Sequence, residues 1–200
     1  MHRSRSLRIA TGRLVVVLAA LAGAPSALAA QLDGPIPPLR LVSGRLSFDG
    51  HATAGDFTGT TTAVSGATAA ADSLGLVEGW VEAPVKSLET GNGKRDRDLN
   101  KSMESDRHPT MRFELSGATE EGSEADTALV RLRGKLTLHG VTRAVSPLGR
   151  LWKAGDSLHL RTGFPLDLGD YEVGGLSRMM GMLRMSEDIE VRVSLVFAPS

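Results

Sequence analysis

Apolar and polar residues alternate with a period of two along most of this chain. Between Asp126 and His139, the residues Ala128, Val130, Leu132, Gly134, Leu136 and Leu138 fall on one face, and Thr127, Arg131, Arg133, Lys135 and Thr137 fall on the other. Successive side chains of a strand point to opposite faces, so the spacing predicts a strand with one dry and one wet side. Ile189, Val191, Val193, Leu195 and Phe197 repeat the pattern against Glu190, Arg192 and Ser194. Met111, Phe113 and Leu115 do so against Arg112 and Glu114, and Val77, Val81 and Ala83 against Glu78, Trp80 and Glu82. Leu46 and Phe48 open the series, and Leu158 and Leu160 alternate with His159 and Arg161 late in it. About eight such segments recur roughly every ten residues, punctuated by Gly, Pro, Asp or Ser, which predicts an all-β fold. Antiparallel strands with one wet face must hide their edges. Long strands and the lack of a Cys…Trp…Cys spacing favour a closed barrel of about eight strands over an immunoglobulin-type sandwich. Such a barrel is either filled by side chains or wide enough for one small ligand.

One stretch breaks the alternation. Thr90 to Phe113, TGNGKRDRDLNKSMESDRHPTMRF, carries the densest charge in the chain, and Leu99 and Met103 stand one helical turn apart within it. A single short helix is expected there, crossing one end of the barrel. Leu99 and Met103 then either plug the barrel as core or line a tunnel.

The chain of 200 residues opens on Arg3, Arg5, Arg8 and Arg13 with no acid, then an apolar run from Leu14 to Ala24 and an Ala27-Leu28-Ala29 step. This is the layout of a secretory signal cleaved after Ala29, and a run of this length is short for a span of about 20 residues. Residues 1–29 are therefore read as a signal, 30–38 as an extended proline-rich leader, and 39–200 as one domain. A periplasmic or secreted location is expected, with no stable membrane insertion after cleavage. Removing four of 23 basic residues and none of 23 acidic ones leaves a net charge of −4. Mild acidity argues against a nucleic-acid partner. The chain has no cysteine, so disulfides, thiol catalysis and Cys-ligated metals are excluded.

The stretch SLETGNGKRDRDLNKSMESDRHPTMRFEL resembles the signature of the YceI-like family, carried by Thr90, Gly91, Asn92, Arg95, Asp96, Leu99, Pro109, Thr110 and Phe113. A second block, Gly134-Lys135-Leu136-Thr137-Leu138-His139-Gly140-Val141-Thr142, is similar to the family's G-x-L-T-I-x-G-V-T. Ser43 to Phe48 and Gly55 to Gly59 match more loosely. The resemblance implies an antiparallel, lipocalin-like β-barrel exported to the periplasm that holds a long polyisoprenoid chain in an apolar tunnel. The chain departs from the pattern where the family carries aromatics after its helix, having Met103-Glu104-Ser105, and at Leu168-Gly169-Asp170-Tyr171-Glu172 near its C-terminal end.

On these grounds Phe48, Val81, Phe113, Leu132, Leu136, Leu138, Val191 and Val193 are expected to form the wall of a binding cavity, with Phe57, Leu99, Met103 and Met180 at its ends. Arg95 and Asp96 are candidates for a rim that meets a polar head group, since Arg suits bidentate contact with an anion; the alternative is an ion-pair network fixing the loop. The expected ligand is an isoprenoid-like lipid or quinone, with no other cofactor. Three further readings stay open: a packed barrel serving as a stress-related structural or interaction module; an enzyme that uses the tunnel, against which the lack of an acid–base cluster argues; and a copper carrier built on Met179, Met180, Met182 and Met185, because thioethers select Cu(I). Those methionines are otherwise an adaptable apolar flap. His51, His108, His139 and His159 show no HxxxH or HxH spacing, and the last three are expected to be exposed; no metal ligand is assigned. Gly175-Leu176-Ser177-Arg178-Met179 lacks the last Gly of a nucleophile elbow, Gly91-Asn92-Gly93-Lys94 fails the phosphate-loop spacing, and no acid–base cluster is visible, so no enzyme is expected.

Overall fold

The alternation at 126–139 becomes a strand whose inner positions are the apolar ones. In the computed structural model, which describes residues 34–53, 55–174, 177–178 and 183–200, it runs Thr127–Leu138, with Ala128, Val130, Leu132 and Leu138 buried. The strands in chain order are β1 (Leu39–Ala52), β2 (Phe57–Thr61), β3 (Ser65–Thr68), β4 (Gly79–Pro84), β5 (Thr110–Glu124), β6 (Thr127–Leu138), β7 (Val141–Val145), β8 (Leu148–Ala154), β9 (Ser157–Asp167), β10 (Ser177–Arg178) and β11 (Leu183–Pro199). The single α-helix among the described residues is α1 (Gly93–Ser102). The signal-like residues 1–29, Met180 and most of the methionine run lie outside the described residues. Among those described, no helix is long and apolar enough to cross a membrane.

The strands pair antiparallel in the order β11-β9-β8-β6-β5-β4-β3-β1, and β1 pairs back to β11, closing an eight-stranded barrel. Two positions in the ring are shared. β6 pairs with β8 along Thr127–Arg131 and with β7 along Gly134–Leu138, the two being separated by Pro147, which has no amide hydrogen to donate. β1 is flanked in the same way by β3 at Leu39–Arg40 and by β2 at Leu46–Gly50.

Bulges explain where the sequence pattern stops. β5 slips register between Leu115 and Gly117, so inward positions change phase from Met111, Phe113 and Leu115 to Ala118. Gly117 sits there at φ +145, and a Cβ would come within 2.4 Å of the Gly75 carbonyl oxygen, so the bulge requires glycine. β1 slips between Leu41 and Ser43, which leaves Val42 turned out and 46% exposed.

The two barrel ends differ. The leader end carries the β5–β6 and β8–β9 turns, the start of β1 and residues 34–38. Within this leader stretch Ile36 pairs with Ala71 through bonds of 2.7 and 3.0 Å and packs on the inner residues of β1, β6 and β11. The opposite end carries α1. Its N-cap is Asn92, whose side chain accepts from the amides of Lys94 (3.0 Å) and Arg95 (3.2 Å), and Asp96 in its first turn complements the helix dipole. The helix stops at Met103, and Glu104 then turns left-handed at φ +44.

Candidate functional site

The barrel is hollow. A cavity of about 1020 Å³ occupies it, walled mainly by inward side chains of the strands and bounded at its ends by α1 and the connecting segments. Pockets for small molecules commonly enclose about 300–1,000 Å³, so this one is large. Of the residues expected on the wall, Phe48, Val81, Phe113 and Leu132 line the cavity, as do Leu136, Leu138, Val191 and Val193. Phe57, Leu99 and Met103 line it at the α1 end. Phe57 meets Phe48 edge to face, with ring centroids 6.0 Å apart. Gly134, on the inner face as its phase requires, leaves room for the Phe113 ring, which a Cβ would meet at 2.5 Å.

Several lining residues lie beyond the sequence expectation. Thr162, Phe164, Leu166 and Leu168 continue inward from Leu158 and Leu160 at strict period two. That signal was present in the sequence; Pro165, which pairs outward against Glu190, hides it, because proline normally argues against a strand interior. Leu88, just after the short 3-10 turn Val85–Ser87, lines the cavity where period-two reading has no purchase, and Val85 on the turn is buried in the same cluster without reaching the lining. Val173 and Met185 complete the α1 end.

At that end the cavity meets charge. Lys94, Arg95 and Asp98 of α1 reach its lining, with Asn92 and Ser102. Arg95 lies over the Phe57 ring, 4.3 Å from its centroid, a cation–π contact that keeps the guanidinium at the mouth. Asp96 instead turns back on the loop: it accepts from the amide (2.9 Å) and hydroxyl (2.6 Å) of Thr90. Arg95 and Asp96 therefore do not form one rim; the first faces the cavity and the second fixes the helix entry.

The two segments at which the resemblance breaks lie here as well. Met103 is buried and reaches the cavity. Tyr171 is 2% exposed and packs in the same apolar cluster, and its burial pushes the phenol pKa above the ordinary value. The basic stripe of Arg131, Arg133 and Lys135 faces out. Arg131 makes a two-pronged contact with Glu121, and Arg133 donates to Thr119 (2.6 Å) and to the Gly75 carbonyl (3.1 Å). The bond to Gly75 ties the 3-10 turn Leu74–Leu76 to the barrel. His108, His139 and His159 are half-buried rather than exposed, because the first two pack together and the third stacks on Trp152 with centroids 5.1 Å apart.

The YceI-like domain matches residues 42–197. No curated protein matches the chain in sequence. Among solved structures, the fold is similar to a polyisoprenoid binding domain from Saccharophagus degradans, with TM-score 0.65 and 15% identity, covering 82% of this chain and all of that one. It is similar to Burkholderia cenocepacia BcnA, with TM-score 0.64 and 14% identity over 76% of this chain and 95% of that one. A Campylobacter jejuni YCEI protein follows, with TM-score 0.52 and 15% identity over 62% and 72% of the two chains. Identities this low speak to the fold, but the domain match spans most of the chain, and with it the closed barrel: this protein belongs to the YceI-like family.

Proposed function

We propose that this protein is an exported, non-catalytic carrier that holds one amphiphilic lipid, an isoprenoid-like chain or a quinone, inside its barrel. The observation that carries the reading is the apolar cavity of about 1020 Å³. An empty apolar space of this size forfeits packing contacts along its whole lining, and an apolar chain restores them. Each methylene withdrawn from water contributes about 0.8 kcal/mol before ordering costs. The chain enters at the α1 end, where apolar wall gives way to Lys94, Arg95 and Asp98; the tail lies among the strands and the head group stays at this polar margin. The Saccharophagus degradans domain of the same fold, a polyisoprenoid binding domain, supports the choice of ligand class.

Titration of the full chain with a fluorescent prenyl probe tests this. Saturable binding at one probe per chain, displaced by an unlabelled polyprenol or quinone, is the expected result. A signal that does not saturate, or that a polyprenol and a quinone both fail to displace, removes the reading.

A further inference from the structure

Two connections at the α1 end bring together three side chains that the lipid-binding reading does not use. One connection follows α1. Glu104, left-handed at φ +44, accepts at its carbonyl from the amides of Arg107 (2.8 Å) and His108 (2.9 Å), a turn that folds His108 back beside the Glu104 side chain. The other is the two-residue hairpin between β6 and β7, His139-Gly140, with φ of +52 and +79. Positive φ at both central residues is the type I′ turn that matches strand twist, and Asn-Gly or Asp-Gly normally fills it. Histidine tolerates the left-handed region better than most residues, though it is not the usual choice. The two turns interlock: the His108 ring packs where a Gly140 Cβ would lie, 2.5 Å from Cε1, and meets the His139 ring edge to face with centroids 5.0 Å apart.

The hydrogen bonding leaves a lone pair unspent. His139 Nδ1 lies 3.1 Å from the Tyr171 carbonyl oxygen. A carbonyl only accepts, so Nδ1 carries the proton and Nε2 presents its lone pair. Nε2 is buried and has no partner, one of three such side-chain atoms among the described residues. A buried acceptor without a donor is costly. An imidazole held by Nδ1–H on a backbone carbonyl is also the arrangement that orients a metal-binding histidine. One ligand atom each from Glu104, His108 and His139 lies within 4.8 Å of the others, the sole such group of three or more among the described residues.

We propose that Glu104, His108 and His139 bind a divalent ion of the zinc class, with Nε2 of His139 as the fixed ligand. Two imidazoles and a carboxylate suit Zn²⁺ and leave a fourth position open. Ligands at about 2.0–2.2 Å from a tetrahedral ion lie about 3.4 Å apart, so Glu104 and His108 close inward by about an ångström on binding. The competitor for the carboxylate is Arg107, 2.5 Å from Glu104 Oε2; with side-chain exposures of 75% and 41%, this is a surface pair that a bound ion displaces. The ion links the turn after the helix to the barrel hairpin, so it holds α1 across the cavity mouth. Only this last effect rests on the lipid-carrier reading; metal binding stands without it.

Competition with a chromophoric zinc chelator, using untagged full chain freed of metal, tests the site. One Zn²⁺ per chain is expected. His139→Asn, which suits the left-handed turn position, lowers the affinity at least about thirtyfold, His108→Gln does the same, and His51→Ala leaves it unchanged. Protection of His108 from diethylpyrocarbonate by Zn²⁺, mapped by mass spectrometry on the unmodified sequence, locates the ion even if a variant fails to fold. No stoichiometric binding, or binding that survives both substitutions and leaves His108 reactive, overturns the proposal. With zinc bound, release of the prenyl probe slows; if zinc binds at these residues and release is unchanged, the helix-clamping role fails while the site remains.

Discussion

At the leader end the backbone itself closes the barrel: Ile36 and Ala71 exchange two hydrogen bonds, and the Leu74–Leu76 turn is held down by the Arg133 guanidinium and packed on the Gly117 bulge. At the α1 end closure is by side chains, Leu99 from a ten-residue helix that is otherwise polar and Met103 from its C-cap. A helix of this length is marginal in isolation and depends on its caps and on the face it buries. Paired backbone bonds over a packed turn define a fixed floor, whereas a few apolar side chains beneath a charged surface define a lid. Charge reaches the cavity lining at both ends, through Lys153 and Asp156 at the leader end and Lys94, Arg95 and Asp98 at the α1 end; entry beneath α1, as proposed above, makes the leader end the blind one.

Filling the cavity at each end separates floor from mouth with the largest expected effect. Val191→Trp, near α1, is expected to lower probe affinity for prenyl chains of every length by at least about a hundredfold, close to 3 kcal/mol. Leu132→Trp, toward the leader end, spares short chains and rejects long ones. Equal losses across chain lengths for both variants would contradict a one-mouthed cavity. Gly117→Ala attacks the floor. The positive φ and the 2.4 Å approach to the Gly75 carbonyl make it cost about 2 kcal/mol in chemical denaturation, while binding to the folded fraction is retained. Leu99→Ala attacks the lid. It is only partly buried, so about 1 kcal/mol of stability is lost, and probe release accelerates severalfold in stopped flow.

The smallest expected effect concerns Tyr171, the sole tyrosine of the chain, so tyrosinate absorbance reports it alone. Burial raises its pKa, with Arg143 opposing and Asp170 adding to the shift. The folded state therefore holds the phenol proton more tightly than the unfolded chain. Its contribution to stability is complete below the ordinary value near 10 and is lost as pH rises through the folded value. The native absorbance midpoint should lie above that of the urea-unfolded chain. Coincident midpoints would mean that the α1 end admits water to Tyr171.

Much of the barrel was legible because one face of each strand is dry. Ala128 to Leu138 and Ile189 to Phe197 align with the inner wall, since a strand without bulges keeps its phase. Legibility ended where phase changed. The bulges at Gly117 and Val42 broke the phase of β5 and β1, and Pro165 in β9 concealed Phe164, Leu166 and Leu168. The short strands β2, β3 and β7 are too brief to show a period, and only pairing with long neighbours defines them. Charge misled in a different way. Asp96 and Arg95 are adjacent in sequence, but helix geometry sends one to Thr90 and the other over Phe57. The grouping of Glu104 and His108 with His139 is likewise invisible to linear motifs, because the barrel closure supplies the third residue.

The central claim is that the apolar interior holds a lipid chain, and the most direct test is organic extraction of freshly purified full chain followed by mass spectrometry. The account predicts a prenyl-bearing amphiphile at close to one per protein, lost from the Val191→Trp variant. Protein free of any such molecule, from a barrel that also refuses the prenyl probe, would contradict it.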